Sequence, residues 1–497
     1  MLSSMPVRDA GIAAGAAVAL AAAFPKVGAA WLVPFGAAAL FWLWQEASWK
    51  YAALLGWLAG IVFFALDFAW VGHTVGHYIG IFGPFLALGP ALIEAPFFAL
   101  AGALAAVAYA RMHPSVAPLG AAAAFTICEW LRSIGPLAAP FDQLGYTQAE
   151  SPLRAVAAYA GTYGVTFILC AFGAYLADAL RRRTFVPLVV AIAAIGLASG
   201  AAWYAWPART LPPPTIRVAA IQGNIAQSFK WSSLNLAVKR YTSMTKAASA
   251  GHPRIIVWPE TVITTQLDMS PLLLGRFRSL ARTARATIVA GSLAGGPAAL
   301  YNSLYVFQPD GTFAVYNKRQ LVPFAEWFPG RAFLSWLPYI GALNGGLTPG
   351  QEDGVYKAGQ LTIAPLICWE SAFADLAYAQ VQKGADLLVI STDDAWFGKT
   401  SGPYMHAQIA QLRAIETGAY VVRAAATGIS GVIAPDGSWQ ARSALDRRTV
   451  VSGRVGQRVP TFFSKIGPTA VAAALIILYA FFFLTASETR RIIRRRA

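Results

Sequence analysis

Charge is scarce in this chain. Only 12% of its 497 residues are Asp, Glu, Lys or Arg, against about 25% in ordinary globular proteins. Acidic residues are the scarcest, 23 against 39 Lys and Arg. Such a deficit excludes a wholly soluble molecule. Cysteine is nearly absent too: Cys128 and Cys170 sit inside long apolar segments, and Cys368 is the only thiol in the polar part. That leaves no disulfide framework there. Of five histidines only His252 and His406 fall in the polar part, neither at a strand end, so a Cys–His catalytic pair is not indicated. His73 and His77 have the spacing of helical metal ligands. No suitable third ligand is near and glycines flank both, so they suit a membrane-interface loop and no metal is expected. No repeat of fixed period is present.

Apolar residues are abundant, at 57%, and the mean hydropathy is +0.51. The composition is that of a polytopic membrane protein carrying something soluble. Candidate spans are Ala10–Phe24, Ala29–Trp44, Tyr51–Val71, Pro84–Ala110, Pro118–Ile134, Val156–Leu180, Val186–Trp206 and Pro468–Leu484, about eight in all. The first, preceded by Arg8, has the look of a signal peptide, but further apolar segments follow at once, which favours a span. The net charge of +16 lies largely in runs beside these segments: Arg181-Arg182-Arg183, Arg490-Arg491 and Arg494-Arg495-Arg496. Such placement signals orientation in a membrane, not nucleic-acid binding. It puts both termini in the cytoplasm and the polar domain outside. Lys50 and Arg111 agree, whereas Lys26 and Arg154 are minor exceptions.

These boundaries give a membrane domain of about seven spans over 1–210, an extracytoplasmic domain over 211–460, and a last span with a basic tail over 461–497. After the stiff Leu211-Pro212-Pro213-Pro214, strands are expected at Thr215–Gly223, Arg254–Pro259, Thr287–Leu293, Ser303–Phe307, Leu361–Cys368, Ala385–Ser391, Tyr420–Ala425 and Val450–Gly453. Helices are expected at Ser233–Ser249, Pro271–Arg285, Ala372–Lys383 and Pro403–Thr417. This alternation predicts an α/β domain.

A lone cysteine at a strand end is ordinarily a small buried apolar residue. A nucleophilic thiolate needs a base or a positive field beside it. Two other strand ends supply both: Arg254–Val257 runs into Trp258-Pro259-Glu260, and Lys318 follows the strand before Leu321-Val322-Pro323-Phe324-Ala325-Glu326. With Cys368 in Ile367-Cys368-Trp369-Glu370-Ser371, these residues resemble the Glu-Lys-Cys triad of the nitrilase superfamily. More narrowly, the chain resembles the bacterial apolipoprotein N-acyltransferases over nearly its whole length. Further matches are Gln222-Gly223-Asn224-Ile225, Gln227, Lys230-Trp231, Tyr301-Asn302-Ser303, Asp394-Ala395-Trp396-Phe397-Gly398, Arg413-Ala414, Glu416, Thr427–Ser430, Glu129–Arg132 and Gly145-Tyr146. Three positions depart from that family's usual pattern: Asp393 and Ala426 each stand where Asn is usual, and Ala139-Pro140-Phe141 stands for Phe-Pro-Trp.

The resemblance implies a nitrilase-like αββα sandwich beside the spans. It implies transfer of an acyl chain from a phospholipid, through a Cys368 thioester, to the α-amine of an S-diacylglyceryl-cysteine at a lipoprotein N-terminus. Glu260 would be the general base, and Lys318 would stabilise the oxyanion and lower the thiol's pKa. Glu326 and Glu370 would support them. Trp231, Trp327, Trp336, Trp396 and Phe397 would belong to the substrate pocket or lid, with the apolar stretch Trp327–Ile340 as the lid. Glu94 and Glu129, costly near spans, would face the bundle interior or a lipid entry. No cofactor is implied, and a monomer in the bacterial inner membrane is expected. The alternatives are a membrane-tethered amidase that passes its thioester to water, and a transporter or scaffold whose domain only binds. Retention of all three triad residues speaks against the last.

Overall fold

The computed structural model describes residues 6–73, 88–206, 213–296, 299–330 and 346–485, with the backbone of the last helix continuing to Arg496. His77, Trp336 and most of the Trp327–Ile340 stretch lie outside the described residues, as do the side chains of the C-terminal arginines. The chain divides into two compact units. One comprises Met1–Trp206, Phe397–Gln408 and Ile466–Ala497, and the other Pro207–Trp396 and Ile409–Lys465. Phe397–Gln408, within the 211–460 domain expected from the sequence, fall in the first unit.

The first unit is helical: α1 (Val7–Ala22), α2 (Val33–Trp44), α3 (Trp49–Asp67), α4 (Leu88–Arg111), α5 (Ala117–Leu131), α6 (Ala157–Arg182) and α7 (Val186–Tyr204). A helix therefore occurs within each N-terminal segment expected to span. Five described helices in the chain are long and apolar enough to cross a membrane: α3, α4, α6, α7 and the C-terminal Phe463–Thr485. The apolar stretches Ala30–Trp44 and Ala117–Leu131 are shorter. At 1.5 Å per residue, neither reaches across a ~30 Å hydrocarbon layer by itself, so the count of eight is not shown. Small residues let the helices approach closely. A Cβ on Gly56 of α3 would stand 2.3 Å from the Phe98 carbonyl of α4.

One buried cation in this unit is matched by two carboxylates. Arg132 Nε donates to Glu94 Oε2 at 2.5 Å, and the same guanidinium pairs with Asp142. Glu129 accepts the Leu144 N–H at 2.8 Å and the Thr166 hydroxyl at 2.7 Å.

The second unit holds two sheets. In the first the strand order is β13 (Thr449–Val455), β1 (Ile216–Gln222), β2 (Ile255–Val257), β4 (Thr287–Gly296), β5 (Ala299–Phe307), β6 (Phe313–Asn317), with β3 (Ile263–Gln266) also on β4. In the second it is β12 (Trp439–Arg442), β11 (Gly431–Ile433), β10 (Tyr420–Ala425), β9 (Leu387–Thr392), β8 (Leu361–Ile367), β7 (Tyr356–Ala358). Each has a parallel centre, β1-β2-β4 or β10-β9-β8, flanked by antiparallel strands.

Side chains alternate across a strand, so each strand feeds two cores. Val218 and Ala220 of β1 join Ile255, Val289, Ile363, Ile367, Leu387 and Val422 between the sheets. Their neighbours Ala219 and Ile221 face outward and pack with α9 (Leu234–Ser249) and α10 (Pro271–Ala284), through Tyr241, Met244, Phe277 and Leu280. On the other sheet Ala364, Leu366, Leu388 and Ile390 pack against α11 (Ala374–Gln382) and the end of α12 (Gly402–Thr417). Burial on both faces explains why these strands are predominantly apolar. Four layers result, α-β-β-α. A short helix, α8 (Gln227–Lys230), precedes α9, and α13 (Phe463–Arg496) closes the chain.

Candidate active site

The parallel centres bring their carboxyl ends together, which is where such sheets place chemistry. Glu260 stands three residues beyond β2, Cys368 directly beyond β8, Asp393 directly beyond β9 and Lys318 directly beyond β6. The Ser391 hydroxyl donates to the Trp258 carbonyl, tying the end of β9 to that of β2 across the two sheets. Gly291 of β4 makes room for the Glu260 turn. A Cβ there would lie 2.3 Å from the Pro259 oxygen and 2.4 Å from the Thr261 nitrogen.

Lys318 is buried, 1% exposed, and its Nζ donates to Glu326 Oε1 at 2.8 Å and Glu260 Oε1 at 3.2 Å. The Asn302 amide reaches both carboxylates, donating to Glu260 Oε1 at 2.7 Å and Glu326 Oε1 at 3.1 Å. Glu260 Oε2 accepts the Asp393 N–H at 2.8 Å, and Glu326 Oε2 accepts the Val322 N–H at 2.9 Å. Cys368 lies in the electrostatic field of Glu260 and Lys318, with the Thr392 hydroxyl beside its sulfur.

Three non-glycine residues here hold the left-handed conformation: Thr261 (φ +46°), Phe324 (φ +62°) and Cys368 (φ +51°). Each costs on the order of 1–2 kcal/mol, and such strain gathers where a side chain must be aimed. At Cys368 it turns the chain sharply from β8 into the 3₁₀ turn Cys368–Ala372.

Burial works to raise the Glu260 carboxyl. The Lys318 ammonium, then Lys230, with the Asn302 and Asp393 hydrogen bonds, outweighs it and holds Glu260 below its ordinary value. Lys318 is opposite: desolvation pulls it down, but Glu260, Glu326 and Cys368 hold it well above. Burial pushes the Cys368 thiol well above its ordinary value. Glu260 adds to that, and Lys318 offsets only part. The expected lowering of the thiol by Lys318 is therefore present but does not win. The resting site combines a carboxylate, an ammonium and a protonated thiol, an arrangement that needs a proton transfer before attack.

Glu370 is fully buried and has a different task from Glu326. It accepts the Ile367 N–H at 2.7 Å, the Arg319 N–H at 2.6 Å and the Tyr316 hydroxyl at 3.0 Å. It thus pins the chain on either side of Cys368 to the residue after Lys318, without an ion pair to the lysine itself. Burial raises its pKa, against the opposing Ile367 and Arg319 amides and the Lys318 charge.

A cavity of about 350 Å³ opens beside this cluster. Its walls include Glu260, Glu326 and Asn302, the aromatics Trp231, Trp327 and Trp396, and also Lys230 and Asp393; Cys368 is not part of the wall. Phe397 is buried elsewhere, its ring 4.7 Å from that of Trp70 and 5.7 Å from Phe141. Three residues here were given no role by sequence reasoning. Asn302 was noted only as part of a motif, Lys230 only as the neighbour of Trp231, and Asp393 only as a departure. For Asp393 the signal was an acid where an amide is usual. Among the described residues no cluster of His, Cys, Asp and Glu could hold a metal ion.

Residues 16–175 match the apolipoprotein N-acyltransferase N-terminal domain, and residues 217–459 match the carbon-nitrogen hydrolase domain. The apolipoprotein N-acyltransferase of Allorhizobium ampelinum is 32% identical over 454 residues, covering 85% of this chain and 84% of that protein. Its counterpart in Haemophilus ducreyi is 29% identical over 474 residues, covering 91% and 92%. That of Geobacter metallireducens is 29% identical over 500 residues, covering 95% of each. With its helical unit, its four-layered α/β unit and this likeness along nearly its full length, the chain belongs to the apolipoprotein N-acyltransferase family.

Proposed function

We propose that this membrane enzyme moves a fatty acyl chain from a phospholipid to the α-amine of an S-diacylglyceryl-cysteine at a lipoprotein N-terminus. The observation that carries this reading is the buried Glu260–Lys318–Glu326–Asn302 cluster, with Cys368 in its field. A binding module gains nothing from burying these charges.

Glu260, held as a carboxylate, takes the thiol proton as the Cys368 sulfur attacks the ester carbonyl. Charge develops on the carbonyl oxygen, and the Lys318 ammonium is the nearby cation able to stabilise it, a contribution of about 3–4 kcal/mol for a positioned donor. The C–O bond breaks, Glu260 returns the proton to the leaving glycerol oxygen, and a thioester remains on Cys368. The lipoprotein amine then attacks the thioester, Glu260 accepts its proton, and the thiol is regenerated with an amide formed. Glu326 keeps Lys318 charged and fixed, and Glu370 fixes the backbone on which Lys318 and Cys368 stand. Trp231 and Trp327 supply apolar wall for an acyl chain. In this reading the α/β unit faces the periplasm, both termini are cytoplasmic, and the protein acts as a monomer.

The test is the intact mass of the purified protein after incubation with phospholipid alone. A fatty-acyl adduct on the peptide containing Cys368, discharged by a diacylglyceryl peptide but not by water, is the expected result. An adduct that water discharges equally fast would make the protein an amidase-like hydrolase. Transfer surviving in Cys368→Ala would overturn the mechanism.

A further inference from the structure

Lys230 and Asp393 are the charged residues of the cavity wall that the reaction above leaves without a task. Lys230 closes the short helix α8, and Asp393 begins the turn after β9. The Lys230 ammonium donates to Asp393 Oδ2 at 2.5 Å, with the carboxylate 1% and the lysine side chain 12% exposed. Asp393 touches the reacting cluster through its backbone instead, its N–H donating to Glu260 Oε2 at 2.8 Å. One residue thus grips the general base with its main chain and a cation with its side chain. The Lys230 ammonium also lies 5.9 Å from the centre of the Trp231 ring, so the same contact extends to the apolar wall.

We propose that Lys230 and Asp393 are a positioning pair that sets how readily Glu260 takes the thiol proton, while anchoring α8 and Trp231 to the cavity wall. The proposal rests on the role given to Glu260 above. An amide at 393 would keep the backbone hydrogen bond to Glu260 but lose the anion that holds Lys230. The charged and titratable groups around Glu260 are Lys318 after β6, with Glu326 bonded to it, Cys368 after β8, Lys230 from α8 and Asp393 after β9; Tyr241 of α9 lies in the field of Asp393. Lys230 and the Asp393 backbone N–H favour the carboxylate form of Glu260, whereas the Asp393 carboxylate and that of Glu260 repel each other. Removing one partner or the other should therefore move Glu260 in opposite directions, which a merely structural role would not do.

The measurement is the pH profile of Cys368 alkylation by iodoacetamide in the full-length protein in detergent, followed on the Cys368 peptide by mass. It reads base-assisted use of the thiol and needs neither lipid nor lipoprotein, so its outcome is separable from that of the acyl-transfer reading. Lys230→Met should shift the acid limb upward by about one pH unit, a tenfold lower rate on its acid side. Asp393→Asn should shift it downward, and the double variant should fall between the two. All three limbs coinciding with the wild type, in variants whose melting temperatures show them folded, would overturn the proposal. So would shifts of the same sign in both single variants. Should Lys230→Met fail to fold, Asp393→Asn alone decides, since an unmoved limb there refutes the pair.

Discussion

Asn302 illustrates how one uncharged side chain governs a cluster of charges. Its amide carries two N–H groups, and each meets a carboxylate, Glu260 or Glu326. Truncation to Ala removes two hydrogen bonds to charged acceptors. The expected cost is about 1.5–3 kcal/mol for each bond, or roughly a hundredfold or more in kcat/KM for acyl transfer. Asn302→Asp should be worse, because it crowds a third carboxylate against the two; its acid limb should move upward by more than that of the Ala variant, which loses only a hydrogen bond that favours the Glu260 carboxylate.

The wild-type profile follows from the same charges. Glu260 is held below the ordinary glutamate value of about 4.3. The competent carboxylate is thus present above that range and is lost only as pH falls through the lowered value. Lys318, held above its ordinary value, stays charged well past neutrality. Formation of the acyl-enzyme from phospholipid, a step that does not involve the acceptor amine, should therefore be flat through neutral pH, with its acid limb below about 4.3. An acid limb near pH 6 would contradict this ordering of charges.

Turns, more than strands, decide where the chemistry lies. Gly291→Ala would press a methyl group into the Pro259–Thr261 backbone and displace Glu260. A fall of about a hundredfold in acyl-enzyme formation is expected. Gly296→Ala in the same strand, with no contact within 4 Å among the described residues, should leave the rate unchanged. Glu370→Ala should act through stability, since it strands buried N–H groups of Ile367 and Arg319 at a cost of about 3 kcal/mol or more. Glu370→Gln, which keeps an acceptor oxygen, should recover part of the lost melting temperature.

Much of this was legible in advance because β1, β8, β9 and β10 are apolar on both faces and stand out from their surroundings. Glu260, Lys318 and Cys368 were visible as polar residues ending such runs. The strands not foreseen include those with little pattern to read: Tyr356–Ala358 and Gly431–Ile433 have three residues each, and Ile263–Gln266 and Trp439–Arg442 are partly exposed. The hairpin of β4 and β5 runs on through Gly295-Gly296 and Ala299, small residues that look like a loop until the ladder pairs them. The separate task of Glu370 could not be read, because its partners are the Tyr316 hydroxyl, 54 residues away, and backbone N–H groups, which carry no mark in a sequence. Nor could the pairing of Lys230 with Asp393, 163 residues apart.

For the molecule as a whole, two kinds of burial must coexist. The helical unit encloses Arg132 with Glu94 and Asp142. Removing the guanidinium leaves buried carboxylates without their cation, and breaking such pairs costs about 3–5 kcal/mol. Arg132→Met should lower the melting temperature in detergent markedly, whereas Arg132→Lys should lower it less. With five helices of spanning length, the protein should remain with membranes after alkaline carbonate extraction.

The pairing of β1 with β13 bears on how the protein is made. Ile216 lies opposite Val455, so the first and last strands of the α/β unit are neighbours in one sheet. During synthesis β1 has no partner on that side until some 230 further residues have been added. For that interval the nascent chain carries an open, apolar strand edge, the kind that recruits foreign strands. A ribosome stalled short of Thr449 would leave that edge permanently exposed. Truncated products should therefore be insoluble or rapidly degraded, even though every catalytic residue has already been translated.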